Sequence, residues 1–497
     1  MERQQLNLDV IRQAGTLNQM KGGLLPEKVL QFGEGNFLRG FVDWMIHRMN
    51  MQGLFHGSVV AVQPTPRGKV VPVLNAQDGL YTVVLRGIDK GNVVDSREVI
   101  SCISRGINPY TEWEKVLRAA ANPDIQLVFS NTTEAGLEYQ YEEYDPATSP
   151  RSFPGKLTAC LYHRFKTFQG APEAGWSIIP CELVDNNGEV LQERVLQIAG
   201  DWHLPGEFTD WVKHSNRFCN TLVDRIVTGF PKDNPDQFWS ELGYRDDLIT
   251  VGEPYHLFAI EADPAVQEIV PFHKAGLQVY WSDVTPFREL KVRILNGAHT
   301  MMAVVGHLHG KKTVLEVMET PELAAFIKKA INEEILPCID LEDEVKKSFA
   351  QSVLERFQNP FNRHYLLDIS LNSVSKFKAR VMPTLSRFMA SFGSVPFAIA
   401  YSLASLFVFY KPDRMEADHL IGKAGGEEYP IRDHEETLRF MQRAWQQSGD
   451  VSGAVKMILA NGTLWGENLN QFAGLTDQVS EHVSDILQSG ARLTGTS

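Results

Sequence analysis

The run Lys28-Val29-Leu30-Gln31-Phe32-Gly33-Glu34-Gly35-Asn36-Phe37-Leu38-Arg39-Gly40 decides the fold. Its first five residues read as a strand, Gly33 interrupts it, and the amphipathic stretch Phe37 to Met49 predicts a helix. Strand, glycine turn and helix in that order are the arrangement that binds a pyrophosphate. Glycines at 33 and 35 permit a tight turn and close backbone approach, and the helix start offers free N–H groups and a positive dipole end. The third glycine of G-x-G-x-x-G is missing, because Leu38 stands there, and Glu34 has to point away from any phosphate. On these residues alone an ordinary strand–helix turn stays open beside dinucleotide binding.

Working outward, Ser58 to Val62 is a second apolar strand, stopped by Gln63-Pro64-Thr65-Pro66. Ile125 to Ser130 and Trp176 to Pro180 are two more. Strands separated by helical patterns imply a parallel sheet with helices on both faces, an α/β Rossmann-like, doubly wound domain over residues 1–285. After Val284-Thr285-Pro286 the texture changes. Leu290 to His309, Pro321 to Ile335, Leu341 to Phe357, Phe397 to Tyr410, His434 to Gln447 and Val451 to Leu459 all carry a 3.6-residue period. Residues 286–497 are therefore expected to form a mainly α-helical domain. The Gly-rich stretch Lys411 to Asp433 reads as a long surface loop.

The chain has 497 residues and a formal net charge of −13, with 43% hydrophobic and 22% charged residues. That is room for about two or three domains and an ordinary globular composition, so disorder, collagen-like repeats and a disulfide scaffold are excluded as global descriptions. The acidic balance argues against nucleic acid as partner, and an anionic substrate must be held by a local basic pocket. Five scattered cysteines without a C-x-x-C pair read as buried reduced thiols. Met1 to Leu30 lacks an apolar core, so no signal peptide is expected. Val395 to Tyr410, at 16 residues, is shorter than the roughly 20 a membrane span needs and reads as a buried helix. These features predict a cytoplasmic protein with no membrane partner.

No carboxylate follows Val62 until Asp78, and Arg67 or Lys69 could meet a 2′-phosphate, so the motif leaves NAD against NADP open. The segment Phe129 to Gly136 ends a strand in Asn131, Thr132 and Thr133. It can line the cofactor crevice, or a threonine there can cap the next element. Just past the boundary lies Lys291-Val292-Arg293-Ile294-Leu295-Asn296-Gly297-Ala298-His299. On a regular α-helix Lys291, Asn296 and His299 fall at roughly 0°, 140° and 80°, on one broad face. A partly buried lysine can exchange an alcohol proton, and the amide and imidazole can donate to a developing alkoxide. A solvated helix face with a satisfied core histidine is the alternative. His307 and His309 are not at metal-ligand spacing from His299 and read as surface or supporting residues, and no metal is expected.

Several strings in this order resemble the mannitol dehydrogenase family of polyol-specific long-chain dehydrogenases. They are Gln31 to Arg39, Gln77-Asp78-Gly79-Leu80-Tyr81-Thr82, Phe129 to Gly136, Pro180-Cys181-Glu182-Leu183 and Thr221 to Gly229. Ile294 to Thr300 and Arg356-Phe357-Gln358-Asn359-Pro360 complete the set. The resemblance implies metal-independent hydride transfer between NAD(P) and a secondary alcohol or ketone. By its K-x(4)-N-x(2)-H pattern Lys291 is general acid/base and Asn296 and His299 are the oxyanion clamp. It puts Asp224 and Lys376 near the substrate. Together with the turn, it makes Phe32, Gly33, Gly35, Asn36, Phe37, Arg39, Asn131, Thr132 and Glu134 the candidate cofactor residues. Within the family the likeness is strongest to members that reduce D-tagaturonate to D-altronate, which favours NAD. Relatives that oxidise polyols have Asp-Asn where this chain has Glu182-Leu183, and an arginine of theirs aligns with Asp368. A neutral hexitol is thereby disfavoured, and Lys376, Lys378, Arg380 and Arg363 are candidates for a uronate carboxylate. D-fructuronate reduction, a mannitol-type activity and a non-catalytic nucleotide sensor are the alternatives. The expected partner is a small sugar acid; oligomeric state is not legible.

Overall fold

Six short strands form one all-parallel sheet, whose central strands Ser58–Val62, Leu127–Ser130 and Ser177–Pro180 are buried along their whole length, as strands covered on both faces are. In spatial order they are Ile103–Ile107, Ser58–Val62, Glu27–Phe32, Leu127–Ser130, Ser177–Pro180 and Arg217–Phe218. Numbered along the chain the order is third, second, first, fourth, fifth, sixth, so direction of growth reverses between Glu27–Phe32 and Leu127–Ser130. Residues of one parity, including Val29, Val59, Ala61 and Phe129, pack with Phe41, Met45 and Met49. Those of the other, Leu30, Phe32, Val60 and Val128, pack with Trp113, Leu157, Leu161 and Trp176.

The computed structural model describes residues 3–13, 25–132, 134–416, 419–491 and 493. They fall into two units, Met1–Arg86 with Val93–Val284, and Gly87–Asn92 with Thr285–Ser497. The first also holds two smaller sheets that the sequence reading did not foresee. One orders Val227–Gly229, Thr250–Gly252, Tyr81–Asp89 and Asn92–Ile100, and the other Val279–Trp281, Leu257–Glu261 and Asn220–Asp224. The helix expected over Phe37 to Met49 is two helices, Asn36–Gly40 and Val42–Met51. Phe41, at φ −131° and ψ −81°, leaves helical geometry while its ring packs between Phe37 at 4.8 Å and Phe258 at 5.3 Å.

The second unit is mainly helical. Its apolar run forms the buried helix Phe397–Phe409, whose first amides are capped by the buried Glu334 (Ala398 N to Oε1, 2.7 Å; Ile399 N to Oε2, 2.9 Å). The segment read as one helix from Leu290 to His309 is instead Thr285–Leu290, a π-helical turn Lys291–Asn296, and Gly297–Leu308. A second π turn, Ala330–Ile335, ends the helix begun at Pro321. An apolar stripe looks the same across six residues whether the turn closes at i+4 or i+5, which is why periodicity misses it.

Lys411 to Asp433 is not a loop. It holds a three-stranded antiparallel sheet of Arg414–Met415, Leu420–Ala424 and Glu427–Ile431. Gly425 and Gly426, both at positive φ (58° and 91°), form the two-residue turn a hairpin demands; they are a turn signal between strands, not a sign of irregular chain. Tyr429 stacks on Phe409 at 4.8 Å and against His307 at 4.4 Å. His307 is thus a partly buried packing residue, with burial pushing its imidazole down to about 4, and His309 bonds the carbonyl of Val305 at 2.7 Å. All five cysteines are free and buried. No helix among the described residues is long and apolar enough to cross a membrane.

The first unit buries a carboxyl that its sheet does not neutralise. Asp43 accepts from Gln31 Nε2 at 3.2 Å, and burial pushes it up to about 7. A carboxyl raised in the folded state keeps its proton longer there than in the unfolded chain. Stability is therefore full below the ordinary carboxylate range and is lost as pH rises through about 7. Asp43→Asn removes this titration, so its thermal midpoint should fall less than the parent's between pH 5 and pH 8. Each kcal/mol of difference reads as about 2–4 °C. Parallel midpoint curves would reject Asp43 as the group responsible.

Candidate functional site

Ligands of open parallel sheets sit beyond the carboxyl ends of the strands where growth reverses, and here that point is occupied by Gly33 and Asn131. Gly33 donates to Val62 O at 2.9 Å, and Asn131 N donates to Phe32 O at 3.2 Å. Gly33 lies at φ +126°, and a Cβ there would come within 2.9 Å of Asn131 O and of Leu38 Cδ1. Only glycine meets both demands. A Cβ on Gly35 would meet nothing within 4 Å, and no side chain caps the helix that begins after it. The turn is a bare backbone cradle beside open space. With only five residues in that helix, the cradle depends on backbone amides more than on a long helix dipole.

Buried polar side chains brace this turn from below. Gln31 Nε2 donates to Gly33 O at 3.0 Å. Arg39 donates to Glu34 O, to Asn36 Oδ1 at 2.7 Å and to Thr250 Oγ1 at 3.2 Å, and Tyr81 donates to Arg39 O at 3.0 Å. Glu34 is buried, which pushes its carboxyl up to about 7. Of the candidate cofactor residues, Phe32 puts its side chain in the core and Phe37 stacks on Phe41. Asn36 and Arg39 bond each other. These four hold the turn with their side chains, leaving Gly33 and Gly35 as its open surface.

The neighbouring strand end is fixed by Glu182. This buried carboxyl accepts from Ser130 Oγ at 3.0 Å, Thr132 N at 2.9 Å and Thr132 Oγ1 at 3.1 Å, while Asn131 Nδ2 donates to Cys181 O at 2.7 Å. Burial raises the Glu182 pKa against the pull of those bonds. The Thr132 hydroxyl is thus engaged by Glu182, and the side chain of Glu134 lies outside the described residues. Leu183, next in sequence, is 60% exposed. Asp224 is buried at the end of Asn220–Asp224, and Arg225 after it donates to Gly40 O at 2.7 Å and Glu253 O at 2.8 Å over the Trp44 ring.

In the second unit the π turn changes the relation among the three polar candidates. An i→i+5 hydrogen bond, seen in Gly297 N–H to Val292 O, adds a residue to the turn. Lys291 and Asn296, five apart, then approach one face, where an α-helix would set them roughly 140° apart. Both keep partial exposure. The His299 ring lies 4.5 Å from Phe357 and 4.9 Å, edge to face, from His364. Burial, then His364, Arg356 and Arg380, hold its pKa well below the usual histidine range, so it is a neutral imidazole at physiological pH. Thr300 Oγ1 donates to Asn296 O at 2.8 Å and accepts from Arg380 Nη1 at 3.3 Å. Lys376 donates to Ile369 O at 2.8 Å, and burial and Arg380 lower its pKa. His364 and Thr300 were not anticipated: His364 precedes the short helix Leu366–Ile369 without a helical period of its own, and Thr300 reads as one more small helix residue.

Residues 27–273 match the mannitol dehydrogenase Rossmann domain, and residues 283–487 match the mannitol dehydrogenase C-terminal domain. The chain belongs to the mannitol dehydrogenase family. Among relatives in this family, altronate oxidoreductase of Halalkalibacterium halodurans is 50% identical over 476 residues, covering 95% of this chain and 93% of its own. The Bacillus subtilis altronate oxidoreductase is 43% identical over 467 residues, 94% of each chain. The family fold is also seen in a D-sorbitol dehydrogenase in substrate-free form (TM-score 0.77, 21% identity, 94% of each chain). It is seen again in a Pseudomonas fluorescens mannitol 2-dehydrogenase ternary complex with NAD and D-mannitol (TM-score 0.65, 22% identity, 98% of each chain). Among the described residues no group of three or more His, Cys, Asp or Glu is placed to hold a metal.

The two glycines of the turn should respond differently to a methyl group. Gly33→Ala forces a positive φ and a contact with Asn131 O, and should cost about 1–3 kcal/mol in urea unfolding. Gly35→Ala, into open space, should cost less than about 1 kcal/mol. Equal losses for both would show that Gly33 carries no special strain.

Proposed function

We propose that this chain reduces D-tagaturonate to D-altronate with NADH, residues 1–285 holding the nucleotide and 286–497 the groups that act on the ketone. What supports the reading is a K-x(4)-N-x(2)-H face carrying a neutral His299, in a chain half identical to an altronate oxidoreductase across nearly its whole length. The side-chain-free cradle at Gly33 and Gly35 fits a pyrophosphate, with Asn131 and Thr132 at its edge. NADH, when bound, supplies the hydride.

The protein's share is orientation and proton supply. Asn296 and His299 donate hydrogen bonds to the ketone oxygen, and these strengthen as that oxygen gains charge. A neutral His299 donates without holding a positive charge of its own, which leaves proton delivery to Lys291. Lys291 gives its proton to the oxygen and takes one back in the oxidising direction. Asp224 and Lys376 contact the substrate's remaining groups, the carboxylate falling to the basic side of the site. Reduction of D-fructuronate to D-mannonate, which differs in configuration at one carbon, is the second reading. The name altronate oxidoreductase, carried by the chain's relatives, supports the first reading over this one.

Lys291→Ala should lower kcat by about 10²-fold or more while NADH binding, followed by its fluorescence, stays. A loss below about tenfold would reject Lys291 as the proton donor. NADH oxidation with D-tagaturonate, D-fructuronate and D-fructose, repeated with NADPH, tests substrate and cofactor together. No turnover of D-tagaturonate would end the proposal.

A further inference from the structure

On the helix Ser373–Arg380, residues 376 and 380 are one turn apart and share a face, whereas 378 points about 200° from 376. Gly466 sits within reach of the Lys378 side chain, 3.4 Å from a Cβ placed on it to Lys378 Cε. That turns Lys378 away from His299, and Arg363 is exposed. Arg356 also faces His299, but it is buried and already engaged. Of the four candidate cations, two are left for that side, and they differ. Lys376 spends a donor on Ile369 O and has Asp433 to offset its charge. Arg380 is partly buried, and no carboxylate among the described residues lies within ion-pair distance. Thr300 Oγ1, its hydrogen-bond partner, takes Nη1 and in turn donates to Asn296 O. One hydroxyl therefore separates the Arg380 fork from the backbone of Asn296. The helix end is held there too, since a Cβ on Gly297 would lie 3.3 Å from Arg380 O. A guanidinium has five donors, and here most of them remain to be satisfied in a partly desolvated site beside Lys376, a second positive charge one turn away. Like charges at that spacing destabilise a helix unless an anion sits between them.

We propose that Arg380 is the residue that recognises the sugar-acid carboxylate, its free guanidinium edge taking both oxygens while Thr300 fixes the opposite edge, with Lys376 adding charge beside it. The inference rests on the uronate reading above and deepens it: Arg380 selects an acid over a neutral sugar and sets how far along the chain of carbons the ketone falls from that anchor.

The test is steady-state kinetics on the full-length enzyme with D-tagaturonate and with the neutral ketohexose carrying a hydroxymethyl group in place of the carboxylate. Arg380→Met should raise KM for the keto-uronate about 10- to 100-fold, more than it lowers kcat, and collapse the preference for acid over neutral ketose. Arg380→Lys keeps the charge and loses the fork, so it should raise KM less, by about 5- to 20-fold. It also serves if the methionine variant does not fold, which melting and NADH fluorescence report. An equal loss on both substrates would make Arg380 a brace for Asn296 and overturn the proposal. An unchanged KM, with Lys376→Met carrying the effect, would overturn it in favour of Lys376. A parent enzyme inactive on every keto-uronate would instead bring down the functional reading itself.

Discussion

An i→i+5 turn gives up the better-aligned hydrogen bonding of an α-helix, and it persists where packing on its two sides leaves no room to tighten. In this chain it lies between Lys291 and Asn296 and is closed by Gly297, whose amide reaches back to Val292 while Arg380 O would stand a tight 3.3 Å from any Cβ there. The direction of the amine, the amide and the imidazole follows from that widened turn. Tightened to an α-helix, the same sequence would swing Lys291 away from Asn296 by a quarter turn or so. The chemistry proposed for this face therefore depends on a backbone irregularity no side chain announces.

The candidate surfaces of the two units are built on different physical plans. At the sheet's switch point the working surface is bare backbone, and the named side chains, Gln31, Arg39, Glu182 and Tyr81, lie behind it and hold it in place. In the helical unit the side chains themselves are the surface, and Thr300, Phe357 and His364 set their environment. A neutral His299 follows from that environment: burial removes its proton and three positive or histidine neighbours keep it off. Hydrogen-bond donation without charge is then available near Lys291, the proton donor proposed above.

Much of this was legible in the residues. Ser58 to Val62 emerges as a strand with the boundaries its uninterrupted apolar run implies, and Val451–Leu459 as a helix with its own. Gly33 was recognisable because the demand for positive φ leaves a compositional mark. The hairpin Leu420–Ile431 was obscured because two glycines weigh toward loop unless the flanking alternation is read with them. The π turn left no mark at all. In the sequence Arg39 reads as a cofactor residue and Arg225 carries no role, since a charge is seldom buried, and sequence alone does not disclose which carbonyls stand ready to receive it.

Those arginines have one more consequence. Arg39, Arg164 and Arg225 are all buried, and each donates to main-chain oxygens (Glu34; Ala174, Ala120 and Asn122; Gly40 and Glu253), Arg39 also to the neutral side-chain oxygens of Asn36 and Thr250. Mobile ions screen exposed ion pairs beyond a Debye length, about 10 Å at 0.1 M, but have little access to a guanidinium enclosed by carbonyls. The nucleotide-side framework is in this sense stitched by dipoles rather than by opposite charges, and its shape is insulated from the ionic strength of its surroundings.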